Sequence, residues 1–289
     1  MTYPFVRQAL PIDTQSRDWA HFSDTDRADT AGMRIYAIGD IHGHLDQLVA
    51  MQAAIAADRA CHPVDRVLIV YLGDLIDRGP QSREVIDRLI DQRNGADDST
   101  QVVCLTGNHD AWLSQFLQDI AVFPLWARKG GLETLLSYDF TAQEVVRAMA
   151  DTAATEVLRL ALLARMPQRH KDFMASLALS HQQGGYFFAH AGIEPDRSLS
   201  AQRQEDLTWI RDRFLLSTKN FGKVVVHGHT PGTRVESLPN RINVDTGIYA
   251  TQVLSCVVLE GTERHVIAVD GRMLRDWRSP TMEAQHAQV

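Results

Sequence analysis

Short apolar runs that end in glycine-led polar loops recur along the first third of the chain. Residues 34–38, 66–72 and 102–105 are β-prone runs of this kind. Between them, residues 44–58 and 81–91 place apolar side chains at helical spacing. Almost continuously apolar strands that alternate with helices are typical of an α/β fold built on a buried sheet. We therefore predict an α/β fold.

The middle of the chain has a different pattern. Residues 111–180 show helical spacing without strand signals, and residues 152–166 predict a strong helix that stops near Pro167. Strand patterns return afterwards, at residues 186–189, 223–226, 242–244, 253–259 and 265–269. We predict one domain over residues 33–272, with a helical cap over about 111–182, an irregular N-terminal arm over 1–32 and a loose tail over 273–289.

Composition limits the class of protein. Hydrophobic residues make up 45% of the 289 residues, charged residues 22%, and the formal net charge is −7. These values exclude a disordered chain, a collagen and a coiled coil, and no apolar run approaches the roughly 18 residues of a membrane helix. The acidic balance argues against a nucleic-acid polymer as partner. Three scattered cysteines and no visible secretory signal favour a reducing cytoplasm.

Polar clusters rich in aspartate, asparagine and histidine follow five of the predicted strands. They occupy residues 39–43, 73–79, 107–110, 190–192 and 227–230. Each cluster alone has a structural explanation, because aspartate commonly caps the next helix and a single histidine is often a packing residue. Five such clusters at strand ends are better explained by one shared site, since loops at the carboxyl ends of strands converge.

The residue types in these clusters are ligands for divalent metals such as Mn²⁺, Zn²⁺ and Fe²⁺. No cysteine lies in any cluster, which argues against a structural thiolate zinc site. Asp40 and His42 can hold one ion, and Asp74 can bridge it to a second. The remaining candidate ligands of the second ion are Asn108, His190 and His229. Two ions roughly 3.5–4 Å apart would stabilise both the attacking and the leaving oxygen of a displacement at phosphorus.

The ordered set of loops resembles the phosphoprotein phosphatase family of metallophosphoesterases, in its bacterial and phage forms. That family carries GD-x-HG, GD-x-x-DRG, GNH-E/D, H-A/G-G and a late GH, and the match runs from about residue 34 to 260. The resemblance implies a central β-sandwich of mixed sheets flanked by helices, the calcineurin-like metallophosphoesterase fold, with a helical cap. It also implies a relation to the symmetrical dinucleoside tetraphosphatases.

The resemblance implies roles for individual residues. It makes the six residues above metal ligands, with Asn108 also near the substrate phosphate. His109 would be the general acid and Asp77 the residue that orients it, although the Asp77-Arg78 pair has a surface ion pair as its alternative. Arg78 and Arg211 would bind phosphate oxygens, with Arg211 taken from the Trp-Ile-Arg element at 209–211. His227 is expected beside the ligands rather than among them, and Tyr249 either at the site rim or in the core.

Three functions remain open. The first is a serine/threonine-type protein phosphatase that hydrolyses phosphomonoesters by attack of a metal-bridging hydroxide, which the intact sequence Asp77-Arg78-Gly79 favours. The alternative is a symmetrical bis(5'-nucleosyl)-tetraphosphatase, which the aspartate at position 110 favours. The third is a non-catalytic phosphate-binding module. We expect two divalent ions, with Mn²⁺ favoured over Fe or Zn, and a phosphorylated protein or a small phosphoester as substrate, without nucleic-acid polymer or membrane as partner.

Overall fold

Two mixed β-sheets form the centre of the molecule. The computed structural model describes residues 7–17, 19 and 28–278. The first sheet contains β1 (Gln8–Ala9), β2 (Arg34–Ile38), β3 (Val67–Tyr71), β4 (Thr100–Cys104), β10 (Val253–Glu260) and β11 (Glu263–Asp270), in the order β1-β11-β10-β2-β3-β4. The second contains β5 (Ser180–Gln183), β6 (Tyr186–Ala189), β7 (Val224–His227), β8 (Glu236–Ser237) and β9 (Arg241–Asn243), in the order β5-β6-β7-β9-β8.

Each sheet contains three neighbouring parallel strands. Strands β2, β3 and β4 pair in parallel at one side of the first sheet, and β6, β7 and β9 pair in parallel at the centre of the second, while the other pairings are antiparallel. The register places Ile38 beside Tyr71 and Tyr71 beside Cys104. The carboxyl ends of the parallel strands in each sheet therefore lie along one edge, and the loops that follow them are neighbours.

Helices cover both outer faces. The helices of more than two turns are α1 (Leu45–Cys61), α2 (Ser82–Asn94), α3 (Asn108–Phe116), α6 (Ala142–Ala150), α7 (Thr152–Arg165), α8 (Gln168–Ala175) and α12 (Gly271–Arg278). The shorter helices are α4 (Phe123–Trp126), α5 (Leu132–Ser137), α9 (Gln204–Trp209), α10 (Asp212–Leu215) and α11 (Ile248–Thr251). A π-helical turn at Ala127–Gly131 joins α4 to α5.

Alternation along the strands builds two cores. In β2, Tyr36 belongs to the core shared with the helices around α1 and α2, whereas its neighbour Ile35 belongs to the core between the sheets. Phe188 and Val226 face Ile35 from the second sheet in that inter-sheet core. Because successive strand side chains point to opposite faces, one strand can serve both cores. The outer face of the second sheet packs on α9 and α10.

The predicted fold class is confirmed, since two mixed sheets form a sandwich flanked by helices. The main elements agree with the sequence pattern to within a few residues at their ends, but strands β1, β5 and β8 were not predicted. All three are edge strands and carry few apolar residues, so the hydrophobic pattern does not reveal them. None of the helices in the described part of the chain is both long and apolar enough to cross a bilayer.

The predicted domain boundaries stay predictions. Within the predicted arm, Gln8 and Ala9 pair with Val266 and His265 of β11, so this part of the arm extends the first sheet. The predicted tail begins within α12, and its residues 279–289 lie outside the described residues, as do residues 1–6, 18 and 20–27 of the arm. Helices of the predicted cap contribute Phe116, Trp126 and Leu162 to the core on the helical face of the first sheet.

Candidate active site

Loops from both sheets meet at the carboxyl ends of their parallel strands. Asp40, Asp74 and Asn108 follow β2, β3 and β4 of the first sheet, and His190 and His229 follow β6 and β7 of the second. All five side chains are buried. The backbone joins the loops directly, because the amide of Gly228 donates to the carbonyl oxygen of His190. The structure therefore gathers the predicted ligands in one place.

Two groups of possible metal ligands share one carboxylate. Asp74 combines with His42 and His109 in one group, and with His190 and His229 in the other, and the ligand atoms of each group lie within 4.8 Å of one another. Asp74 Oδ2 is 3.6 Å from His42 Nε2, and Asp74 Oδ1 is 3.4 Å from His190 Nε2. Each oxygen of Asp74 thus faces a different group, which is the geometry of a bridging ligand.

Asp40 and Asn108 lie next to these groups. Asp40 Oδ2 is 3.9 Å from His42 Nε2, and the carboxylate also accepts a hydrogen bond from the backbone amide of His229. Asn108 Oδ1 is 3.2 Å from His190 Nε2. The structure thus brings all six predicted ligands together, and it also places His109, which was not predicted as a ligand, within the first group.

Hydrogen bonds to the backbone orient two of the imidazoles. His42 Nδ1–H donates to the carbonyl oxygen of Ile76, and His190 Nδ1–H donates to that of Leu72, both at 2.9 Å. Their Nε2 atoms therefore point towards Asp74. The Nε2 atom of His229 is buried and has no hydrogen-bond partner within the described part of the chain. Metal-binding histidines typically have this arrangement, in which the second ring nitrogen is held by a carbonyl, so the residues fit divalent cations.

The carboxylates of the site strongly affect one another. Burial, followed by the nearby charge of Asp245, raises the pKa of Asp40 well above its usual range. Burial also acts to raise the pKa of Asp74, but the positive charge of the nearby His190 and its hydrogen bond to the carboxylate oppose burial, and that pKa lies well below its usual range. Buried carboxylates this close repel one another. A divalent cation between them would remove that cost.

The histidines differ in charge. Burial lowers the pKa of His42 to about 3, and burial together with the charge of His190 lowers that of His229 to about 2, so both are neutral. Burial opposes protonation of His190 as well, but Asp74 and Asp40 raise its pKa to about 10. Because a metal-bound imidazole must be unprotonated, binding of an ion at His190 has to release this proton.

The backbone of the site is strained. Among the described residues, eight residues other than glycine have a positive φ, and five of them belong to the candidate site: His42, Asp74, Asp77, Arg78 and His229. Such conformations cost on the order of 1–3 kcal/mol each and concentrate at functional sites. Strain at five positions of one site indicates that side-chain placement there is maintained at the expense of stability.

Two glycines permit the close approach of the loops. A Cβ atom at Gly107 would lie 2.1 Å from Asp74 Oδ1, and one at Gly228 would lie 2.2 Å from Asp40 Oδ1. No real side chain tolerates these distances. The Gly-Asn-His and Gly-His sequences therefore carry glycine because a carboxylate occupies the space of its missing side chain.

His109 is held by a buried carboxylate. Its Nδ1–H donates to Asp77 Oδ2 at 2.7 Å, and its Nε2 accepts a hydrogen bond from Arg78 at 3.1 Å. Because arginine can only donate, His109 is neutral in this state, with its proton on Nδ1. Asp77 also accepts hydrogen bonds from Trp126 Nε1 at 2.8 Å and Thr134 Oγ1 at 2.6 Å. Asp77 and Arg78 are thus not a surface ion pair.

Two arginines lie at the rim. The guanidinium of Arg78 stands 4.2 Å from the ring centre of Tyr249, whose side chain is 42% exposed. Tyr249 therefore lies at the rim and not in the core. Arg211 is exposed and donates a long hydrogen bond of 3.4 Å to Thr230. Its charge contributes to the lowered pKa of His229, after the larger effects of burial and of His190.

Two residues of the site, Asp245 and Trp112, were not predicted from the sequence, and a third, Asp110, belonged to a predicted cluster without a role of its own. Asp245 is buried beside Asp40, and Asp110 accepts hydrogen bonds from the amides of Gly107 and Leu75. Trp112 packs against His109 with ring centres 4.9 Å apart. Asp245 follows β9, so the rule that polar residues at strand ends form the site could have identified it. His227, expected beside the ligands, is buried and lies outside both groups.

The comparisons with known proteins agree with this geometry. The family described as "Calcineurin-like phosphoesterase" matches residues 33–250. The chain is 32% identical over 187 residues to the symmetrical bis(5'-nucleosyl)-tetraphosphatase of Pseudomonas fluorescens, covering 64% of this chain but only 51% of that relative's length. It is 27% identical over 233 residues to the asymmetrical bis(5'-nucleosyl)-tetraphosphatase PrpE of Anoxybacillus flavithermus, covering 73% of this chain and 84% of the relative.

A solved structure shows the same fold. The crystal structure of a proposed diadenosine tetraphosphatase aligns with a TM-score of 0.56 at 21% identity, covering 84% of this chain and 97% of the other. At that identity the likeness concerns the fold alone. The family match, by contrast, spans most of the sandwich and all five strand-end loops. The chain belongs to the calcineurin-like phosphoesterase family.

Proposed function

We propose that this metallophosphoesterase is a dinuclear-metal hydrolase of dinucleoside tetraphosphates. The observation that carries the proposal is the position of Asp74, whose two oxygens face two separate groups of ligands. A pair of metal ions is suited to displacement at phosphorus, because the two positive charges can stabilise both the attacking and the leaving oxygen. Mn²⁺ is the preferred ion, with Fe or Zn as alternatives, since the donors are carboxylate, amide and imidazole.

Asp40, His42 and Asp74 would hold the first ion, and Asp74, Asn108, His190 and His229 the second. When bound, such ions polarise the phosphoryl group and lower the pKa of water. Every other contribution comes from the chain. Arg78 and Arg211 stand at the rim with planar guanidinium groups that match two phosphate oxygens, and Asn108 provides an amide next to them.

His109 is proposed to donate the proton that the leaving oxygen takes up. In the described state, Arg78 occupies the Nε2 lone pair of His109. Binding of phosphate to Arg78 would withdraw that guanidinium and leave Nε2 free to take up a proton from solvent, which it would then pass to the leaving oxygen. Asp77 keeps the other nitrogen protonated and would stabilise the imidazolium. A tetraphosphate needs this proton less than an alkyl phosphomonoester does, because a phosphate is the better leaving group.

The substrate class rests on the relatives. The two curated relatives described above are tetraphosphatases of dinucleosides, one symmetrical and one asymmetrical. They support the alternative that the sequence left open, and they support it better than the protein phosphatase that we placed first. A soluble small substrate, rather than a phosphoprotein, is therefore part of the proposal. The unpaired thiols of Cys61, Cys104 and Cys256 agree with a cytoplasmic location.

A serine/threonine protein phosphatase remains the second candidate. The observation in its favour is the arrangement of Asp77, His109 and Arg78. A proton donor accelerates the reaction most when the leaving group is a poor one, such as the alkoxide of serine or threonine.

The experiment is a substrate panel with the purified chain and added Mn²⁺. Diadenosine tetraphosphate, a phosphoserine peptide and an aryl phosphate are compared by kcat/KM, with Asp74→Asn as the control for metal dependence. We expect diadenosine tetraphosphate to be the best substrate. Two diphosphates as products indicate symmetrical cleavage, and a triphosphate with a monophosphate indicates asymmetrical cleavage. A higher kcat/KM for the phosphopeptide would overturn the proposal in favour of the second candidate.

A further inference from the structure

An open cavity lies beside the candidate metal centre. It has a volume of about 840 Å³ and is bounded by α3, by α9 and by the chain at the end of α8. Asn108 lines this cavity and is also 3.2 Å from His190 in the metal centre. Asn108 therefore borders both the cavity and the candidate metal centre, so a ligand in the cavity lies next to that centre. Its size falls within the range of small-molecule sites, roughly 300–1,000 Å³.

Two indole rings form one wall of the cavity. Trp112 and Trp209 contact each other edge to face, with ring centres 5.0 Å apart, and Trp209 stands 5.9 Å from His229. Trp112 is buried, but Trp209 is 39% exposed. An exposed indole is costly in water unless it has a partner. Here its free surface faces a cavity next to the candidate metal centre.

The remaining wall is polar and carries no positive charge. More than half of the lining side chains are polar, and neither lysine nor arginine is among them. Among the described residues, the side chains of Gln115, Gln204 and Glu205 form no hydrogen bond with one another or with their neighbours, so they are free to bind a ligand. The absence of cations in the lining excludes a phosphate chain as the occupant, and the free amides disfavour a purely apolar one.

We propose that this cavity binds a nucleobase of the substrate, which stacks on Trp209 and forms hydrogen bonds with the amides around it. A base is flat and uncharged, so it can stack on the indole wall. It is also rich in hydrogen-bond donors and acceptors, which can bind the polar wall. The phosphate chain then extends past Asn108 to the candidate metal centre and the two rim arginines. This inference rests on the proposed function, because it assigns the specificity for a nucleoside to residues outside the phosphate site.

A second occupant is possible on chemical grounds. An apolar side chain of a phosphopeptide would also contact the indoles, but it would leave the amides of Gln115 and Gln204 unused. The observed wall therefore favours the base, and the peptide becomes an outcome of the test.

The test compares substrates with and without bases. Diadenosine tetraphosphate is assayed against the dimethyl ester of tetraphosphate, which keeps the phosphates and lacks the nucleosides, and against a phosphoserine peptide with a neighbouring phenylalanine. Two variants change the cavity: Trp209→Ala removes the stacking surface, and Ala175→Trp fills the cavity from an exposed position in its wall. Trp209→Phe is the conservative variant.

The control is Ala56→Trp, which adds the same side chain at an exposed position of α1. At 1.5 Å of rise per residue, position 56 lies far from the loop that begins this helix.

We expect Trp209→Ala and Ala175→Trp to lower the ratio of kcat/KM for the dinucleotide to that for the dimethyl ester by about tenfold or more, since stacking of a base on an aromatic side chain is worth that much. Trp209→Phe should restore most of the ratio, and Ala56→Trp should not change it. An unchanged ratio in both cavity variants would overturn the inference and leave the proposed function intact. If the cavity variants instead lower kcat/KM for the phosphopeptide relative to that for the dimethyl ester, the cavity binds a peptide and the inference is overturned.

Hydrolysis of none of the three substrates by the folded wild-type chain, with any divalent metal, would instead overturn the proposed function. The two failures are therefore distinguishable. The ratio also separates a role of Trp209 in base binding from a structural role, because loss of structure lowers kcat/KM for both substrates together.

Discussion

The Asp77 carboxylate accepts hydrogen bonds from three side chains of different segments. They are His109 at 2.7 Å, Trp126 at 2.8 Å and Thr134 at 2.6 Å. Together with its positive φ, these contacts leave the side chain one position. The sequence indicated Asp77 and His109 through their motifs, but nothing in it linked Thr134 to them, because that residue lies in a helical segment without a motif of its own.

Replacement of His109 by asparagine tests its proposed role as proton donor. We expect kcat to fall by about 10²–10⁴-fold for an alkyl phosphomonoester, since that leaving group needs a proton, and much less for nitrophenyl phosphate. Metal content is measured alongside and should stay close to the wild-type value. Equal losses on both substrates would contradict the role of general acid.

Replacement of Asp74 by asparagine tests whether one carboxylate serves both ligand groups. We expect the variant to lose most of both ions, because each of its two oxygens faces a separate group. Elemental analysis after gel filtration gives the metal content per chain. Asn108→Ala is the matched control, since it removes a ligand of one group only and should leave about half of the metal. Full metal content in Asp74→Asn would exclude the bridging position.

At the scale of elements, helix α7 shows what a hydrophobic pattern can and cannot establish. Its leucine-rich sequence predicted a strong helix, and the helix is present at Thr152–Arg165. The pattern did not show which apolar residues are buried. Leu158 and Leu162 are buried, whereas Val157 is 67% exposed and Leu160 52% exposed. Apolar residues on both faces of a helix do not reveal which face meets the core.

This difference predicts unequal effects of the same substitution. Leu162→Ala should lower the free energy of unfolding by about 2–5 kcal/mol, because it opens a cavity in the core. Leu160→Ala should change it by no more than about 0.5 kcal/mol, as expected of an exposed position. Thermal unfolding of both variants measures the difference. Similar destabilisation by the two would mean that Leu160 is covered in solution.

At the scale of the whole molecule, the sandwich brings distant loops together. The amide of His229 donates to Asp40, which lies 189 positions away in the sequence. No local signal predicts this contact, because it depends on how the two sheets stack. The same holds for the N-terminal segment, where Arg7 reaches Glu260 of β10 at 2.8 Å.

Glu260 makes the stability of this arrangement depend on pH. Hydrogen bonds from Arg34 and Arg7, opposed by partial burial, lower the pKa of Glu260 to about 2 from its usual 4.5. A carboxyl group whose pKa is lowered on folding stabilises the protein above its unfolded pKa, and this stabilisation is lost as the pH falls towards 2. Glu260→Gln should therefore lower stability at pH 7 by about 1 kcal/mol, a value that allows for solvent screening of a partly exposed side chain.

The comparison of wild type and Glu260→Gln by thermal unfolding between pH 7 and pH 2 checks this. The difference between the two should shrink below pH 4.5 and disappear near pH 2. A difference that is constant across the range would show that packing, and not charge, accounts for the effect. The position is far from the proposed chemistry, so activity at pH 7 serves as a control for correct folding.

The sequence by itself determined the fold class, the main strands and the loops that carry the candidate ligands. It could do so because burial on both faces leaves strands almost continuously apolar, and because glycine next to aspartate or histidine marks each strand end. The motifs identified the candidate ligand residues, since each motif is local. The edge strands β1, β5 and β8 escaped, because they are short and mostly polar and are held by pairing with a neighbour.

Only the tertiary structure decided how these parts act together. It placed Asp245 beside Asp40, put Tyr249 at the rim, enclosed Asp77 with Trp126 and Thr134, and left a cavity beside two contacting tryptophans that lie on separate helices. The physical reason is the same in each case. Local sequence fixes the backbone conformation of a segment, whereas contacts between segments depend on the stacking of the two sheets and on the packing of helices against them.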